Sequence, residues 1–157
     1  MTDQAFGVTL LESLNPSVEM KTGAELSSAM PLGTAAGTWV LVVDDESTVR
    51  RFILRVLQRE GYCVVEAKDG MEALELIKQG GTSFEVVVTD IVMPRLNGVE
   101  LMQALSISHS DLPVILISGY ATAALANMGI ATPCAILPKP FPPERLLEEV
   151  RRCCRPK

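Results

Sequence analysis

Apolar residues along this chain fall in short, β-branched runs that each stop at polar residues or proline, with stretches of helical spacing between them. Trp39–Val43 stops at Asp44-Asp45, Phe84–Thr89 at Asp90, Pro113–Ile117 at Ser118-Gly119, and Cys134–Leu137 at Pro138-Lys139-Pro140; Tyr62–Glu66 is a fifth run. Runs with so little alternation mark strands buried on both faces, as in parallel sheets. Between the first two, Val49, Phe52, Ile53, Val56 and Leu57 recur at helical spacing and make one stripe, with Ser47 placed to cap the helix and Gly61 to stop it. After a turn at Asp69-Gly70, Ala73, Leu74 and Ile77 mark a second helix ending at Gly80-Gly81. Asn97-Gly98 leads into a third, with Leu101, Met102 and Leu105 inward, and residues 121–128 make a short fourth. The last helix begins near Pro142-Pro143, with Glu144 in its first turn and Arg151, Arg152 and Arg155 near its end, charges that complement the helix dipole.

Five strands alternating with five helices predict an α/β fold. Parallel neighbours need crossover helices, and right-handed crossovers leave few topologies. The expectation is a flavodoxin-like, doubly wound, five-stranded parallel sheet in the order 2-1-3-4-5. The domain is expected over residues 38–157. Residues 1–37 carry Gly, Ser, Thr, Ala and Pro without sustained periodicity and read as a poorly structured tail or linker.

Composition narrows the function. Of the 157 residues, 48% are hydrophobic and 21% charged, an ordinary globular balance with enough chain for one core. The net charge of −5 gives no basic footprint, so direct nucleic-acid binding is not expected. No apolar run approaches the roughly 20 residues of a membrane span, and the N-terminus lacks the basic and apolar parts of a secretory signal. A cytoplasmic protein is the expectation. Cys63, Cys134, Cys153 and Cys154 have no metal-ligand spacing, so they read as reduced thiols.

The chemistry gathers at the strand ends. In a parallel sheet, Asp44, Asp45, Asp90, Ser118 and Lys139 all fall along one edge, where open α/β sheets bind ligands. Carboxylates packed together repel one another, and a hard divalent cation such as Mg²⁺ relieves this through oxygen ligands. A lysine and a hydroxyl beside them complete a site for a phosphoryl group, with one carboxylate as nucleophile. Any one of these residues alone has an ordinary structural reading, as a helix cap or a solvated lysine. The set on successive connections is far more specific.

Residues 38–154 resemble the receiver domain of bacterial two-component response regulators. The resemblance rests on Val40-Leu41-Val42-Val43-Asp44-Asp45-Glu46, on Thr89-Asp90-Ile91-Val92-Met93-Pro94 with Gly98 four residues on, on Ile117-Ser118-Gly119-Tyr120 and on Lys139-Pro140-Phe141. These motifs are closest in style to receivers of hybrid sensor kinases. The resemblance implies Asp90 as phosphoacceptor. It implies metal ligation by Asp44 (partly through water), Asp45, Asp90 and the backbone carbonyl of Val92, with Mg²⁺ as cofactor and Mn²⁺ as its substitute. It further implies Ser118 as the switch hydroxyl, Lys139 as the phosphoryl partner and a cis bond before Pro140. The donor would be the phosphohistidine of a histidine kinase or phosphotransfer protein. Self-phosphorylation and self-dephosphorylation would be the only catalysis. One position departs: where the family usually has a switch aromatic, three residues before the lysine, this chain has Ile136. Tyr120 is a candidate substitute.

Residues 129–138 carry no charge, which makes the face of the fourth expected helix, the fifth strand and the last helix a candidate homodimer surface. The alternatives are a pseudo-receiver that only binds partners, a nucleotide or flavin binder, and a small aspartyl-phosphate hydrolase. A nucleotide binder would need a glycine-rich first turn, which here reads Asp44-Asp45-Glu46-Ser47-Thr48. A hydrolase would need a carboxylate two residues after its nucleophile, where Val92 stands. His109, the one histidine, reads as a solvated loop residue, and Arg50, Arg51, Arg55 and Arg59 as a solvated helix face that a kinase partner can also contact. The expected context is a single-domain regulator or the receiver of a larger protein.

Overall fold

The computed structural model describes residues 37–119 and 131–154. The expected helix over 121–128, Tyr120, Arg155 and residues 1–36 of the expected tail lie outside them. Chain order is β1 (Trp39–Val43), α1 (Ser47–Arg59), β2 (Cys63–Ala67), α2 (Gly70–Gln79), β3 (Phe84–Asp90), α3 (Gly98–Ser108), β4 (Val114–Ser118), β5 (Ala135–Pro138) and α4 (Pro143–Cys153). All strand pairs are parallel, in the order β2-β1-β3-β4-β5. The sheet is the expected one.

Why the strands read as unbroken apolar runs is plain from their two faces. Val40, Val42, Val86, Val88, Ile115, Ile117 and Leu137 point to one side, where Ile53 and Leu57 of α1 and Leu146 and Val150 of α4 close over them. Leu41, Val43, Val87 and Leu116 point to the other, under Ala73 and Ile77 of α2 and Leu101, Met102 and Leu105 of α3. Each buried Leu, Ile or Val removes apolar surface worth about 1.5–3 kcal/mol. The central strands therefore cannot slip by one residue without exchanging both cores at once.

Register sets the site. Val43 lies level with both Ala67 and Thr89, Asp90 with Ile117, and Ser118 with Pro138. The ends of β1, β3, β4 and β5 thus meet at one edge, and the order of strands reverses between β1 and β3. Ligand crevices of open α/β sheets form at such a switch point.

Four local expectations are corrected. Ser47 is the first residue of α1 and not its cap; Glu46 holds the cap position with no side-chain hydrogen bond. Asp69 is a helix cap rather than part of a free turn, because its carboxylate accepts from the Glu72 N–H and opens α2. Phe52 is 39% exposed and not inward; its ring lies 6.1 Å from that of Phe141. The cysteines are not all reduced thiols: Cys134 and Cys153 are joined in a disulfide, which sequence spacing could not show because β5 and α4 meet only in the fold. Trp39, at the start of β1, is 37% exposed among the described residues.

Candidate functional site: an acidic pocket at the strand ends

Asp44 follows the last residue of β1 and is fully buried. Its Oδ1 accepts from the Glu46 N–H at 2.8 Å, and its Oδ2 accepts from Lys139 Nζ at 3.3 Å. Its backbone is pinned too: its N–H donates to the Ala67 carbonyl, and Arg50 Nη1 donates to its carbonyl at 2.6 Å. Arg50 also pairs with Glu66 at 3.1 Å, so it belongs to the frame of the pocket and not to a solvated face. The arginines of α1 looked equivalent in sequence; only the crossing of α1 over the end of β1 separates Arg50 from Arg51, Arg55 and Arg59.

Asp90 ends β3 and is 8% exposed. Its Oδ1 accepts from the Ile91 N–H at 3.0 Å and lies 3.4 Å from Lys139 Nζ. Asp45 is exposed. One carboxylate oxygen from each of Asp44, Asp45 and Asp90 lies within 4.8 Å of the others, a donor set suited to a hard divalent ion. Val92 is two residues beyond Asp90, and its side chain is 62% exposed. Ser118 ends β4, is 6% exposed, and its carbonyl accepts the Lys139 N–H at 2.7 Å, which locks β4 to the lysine. The Lys139–Pro140 peptide is cis. Ile136 is half-buried and packs on the core beneath α2 and α3. His109 follows α3 and is exposed, at the end of the sheet away from the carboxylates.

Sequence reasoning did not single out Gly98 beyond its place in a motif. A Cβ built there would stand 2.1 Å from the Asp90 carbonyl oxygen. The first residue of α3 therefore lies directly against the backbone at the end of β3, and the Gly98 N–H donates to the Ile91 carbonyl at 3.0 Å.

Electrostatics follow from burial. The Asp90 carboxyl is raised above its ordinary 3.8, first by burial and then by the charge of Asp44, with Lys139 pulling the other way. Burial alone would lower Lys139, but Asp44 and Asp90 together hold it above its ordinary 10.5. Because the folded Asp90 binds its proton more tightly than the unfolded chain does, its ionisation costs stability as pH rises from 3.8 through the folded value. In protein free of divalent ions, Asp90→Asn is therefore more stable than wild type at neutral pH, and the gain shrinks as pH falls toward 3.8. Urea midpoints across a pH series check this; a gain that grows on acidification would contradict it.

A sequence profile for the response regulator receiver domain matches residues 40–151. The chain belongs to the response regulator receiver family. Among curated relatives, this receiver is 42% identical over 113 residues to the sensor kinase CckA of Brucella abortus, covering 71% of this chain and 12% of that one. It is 38% identical over 117 residues to the response regulator MprA of a Mycobacterium species, covering 74% of this chain and half of that one. The matched region is thus only part of either relative. Among solved structures, the receiver domain of the hybrid histidine kinase CckA aligns with a TM-score of 0.61 and 31% identity, over 74% of this chain and 99% of that one. TrrA from Thermotoga maritima, solved in complex with Mg²⁺-BeF, aligns with a TM-score of 0.67 and 29% identity, over 74% and 98%. Among the described residues, no helix is long and apolar enough to cross a membrane.

Proposed function

We propose that this receiver accepts a phosphoryl group on Asp90 from the phosphohistidine of a partner histidine kinase or phosphotransfer protein. The observation that carries this reading is the convergence of Asp44, Asp45 and Asp90 within 4.8 Å, with Lys139 bridging two of them at 3.3 and 3.4 Å. The Ile91 N–H and Lys139 Nζ both lie against Oδ1 of the Asp90 carboxylate. Lys139 holds Asp90 toward its ionised, nucleophilic form against the cost of burial. After transfer, its ammonium faces the phosphoryl oxygens as a point charge. Asp44, Asp45, Asp90 and the Val92 carbonyl are the residues that would hold Mg²⁺, or Mn²⁺ in its place. When bound there, the ion neutralises the crowded carboxylates and the charge of the phosphoryl group.

Ser118 is the hydroxyl placed to answer phosphorylation, since β4 carries it to the same edge. Its movement would be read without a swinging ring, because Ile136 is aliphatic and packs into the core. The output is the switching of a protein-interaction face, with neither turnover of an external substrate nor contact with nucleic acid. Incubation with acetyl phosphate and Mg²⁺, followed by intact mass, tests this reading. A single phosphate adduct is expected, and it is absent from Asp90→Ala and without Mg²⁺. Steady hydrolysis of a phosphomonoester, or an adduct that survives in Asp90→Ala, would overturn it.

A further inference from the structure

The disulfide lies away from the acidic pocket, at the opposite end of the sheet. Cys134 immediately precedes β5 and Cys153 closes α4. Their Cα atoms are 6.1 Å apart, within the range a disulfide spans. Cys134 is not sealed in the core, whereas Cys153 is a buried member of the cluster under α1 and α4. Cys134 is half-buried, and both line an open cleft of about 1290 Å³ together with Thr132, His109 and Arg152. Arg152 Nη2 donates to the Cys134 carbonyl at 2.7 Å, which fixes a guanidinium on the residue that carries the sulfur. Glu149 also pairs with this arginine, at 2.7 Å, and offsets part of its charge. Cys153, by contrast, is 8% exposed.

The neighbouring cysteine is set apart. Cys154 is a free thiol pushed up to about 11, by burial first and then by the charge of Glu85. It stays protonated at neutral pH, and thiols attack only as thiolates. Cys63, the other free thiol among the described residues, begins β2 at the far edge of the sheet, with β1, β3 and β4 between it and β5.

We propose that Cys134 and Cys153 form a reversible thiol–disulfide site that exchanges with low-molecular-weight disulfides. The Cys134 thiolate attacks one sulfur of the external disulfide and expels one thiolate, leaving a mixed disulfide on Cys134. Cys153 then gives up its proton to solvent and attacks the Cys134 sulfur, releasing the second thiol. Two protein thiols are oxidised by two electrons, and one external disulfide is reduced to two thiols. The product staples the start of β5 to the end of α4. It leaves Asp90 and Lys139 untouched, so the site stands whether or not the phosphoacceptor reading does.

The full chain, equilibrated in glutathione buffers from reducing to oxidising, is unfolded in acid, alkylated and weighed intact. Four alkyl groups are expected at the reducing end and two at the oxidising end, in one reversible transition. Cys134→Ser should carry three throughout; Cys153→Ser, which lacks the resolving thiol, should pass from three alkyl groups to two with one glutathione held on Cys134; and Cys154→Ser keeps the transition, from three to one. Oxidation should raise the melting temperature of wild type by about 10 °C, through closure of the loop between the paired cysteines. It should not change that of Cys134→Ser. Four groups at every buffer ratio would show no disulfide, and two at every ratio would show an inert structural one. Loss of the transition in Cys154→Ser would assign the wrong partner. Each of these overturns the proposal.

Discussion

Replacing Gly98 with alanine is expected to destabilise the domain by roughly 3 kcal/mol and to cut phosphoryl uptake at least tenfold in whatever protein still folds. The added methyl would meet the Asp90 carbonyl oxygen at 2.1 Å, its carbon at 3.0 Å and the Ile91 Cα at 3.1 Å. All three are backbone atoms of the strand end, so no side chain can swing aside to make room. Either α3 backs away from the sheet or Asp90 is displaced. The first exposes Leu101, Met102 and Leu105, and the second takes the carboxylate away from Lys139. A matched control is at hand in Gly81, where an added Cβ meets nothing within 4 Å. Gly81→Ala should stay within about 0.5 kcal/mol of wild type. Urea denaturation of the two variants, with acetyl phosphate labelling of the folded fractions, checks the pair. Equal stability of Gly98→Ala and wild type would show that the strand end is not clamped as described.

Replacing Lys139 with alanine is expected to lower phosphoryl uptake by about 10²–10³-fold, the usual cost of removing one charge-stabilising donor from an active site. Asp44 and Asp90 are almost wholly buried, and among the described residues Lys139 is the cation that touches both. Without it their mutual repulsion raises Asp90 further, so less of Asp90 is ionised at neutral pH. Lys139→Arg keeps the charge but offers a planar fork in place of a point donor, and it should recover only part of the rate. The stability effect has its own signature. Because the folded lysine lies above its ordinary 10.5, its ion pairs give their full stabilisation below 10.5 and lose it as pH rises through the folded value. Wild type should therefore approach Lys139→Ala in stability only in strong alkali. Parallel urea curves at neutral and alkaline pH measure this; a gap that is unchanged in alkali would contradict the assignment.

The sheet was legible because parallel strands covered by helices on both faces must be apolar throughout. Val40 to Val43 and Val86 to Val88 show this directly, each residue serving one core or the other. The acidic pocket was legible for a related reason: once the strands are parallel, residues that follow them share an edge. What stayed hidden depends on contacts across elements. Asp69-Gly70 fits a turn and a helix start equally well, and only the hydrogen bond to the Glu72 N–H decides. Arg50 could not be told from Arg51, because amphipathic spacing does not show which residue reaches the end of β1. The clearance at Gly98 is a distance between α3 and β3, with no trace in the residues on either side. Cys134 and Cys153 are 19 residues apart, and nothing in that spacing brings them together.

On the proposed function, Asp90 and no other aspartate takes the phosphoryl group. Acyl phosphates are reduced by borohydride, which converts a phosphorylated aspartate to homoserine while free carboxylates are untouched. The chain is labelled with acetyl phosphate and Mg²⁺, reduced, digested and sequenced by mass spectrometry. Homoserine at position 90, and at neither Asp44 nor Asp45, is the expected result. Conversion at another aspartate, phosphate recovered on His109, or no conversion at position 90 in a chain that has gained a phosphate, would contradict it.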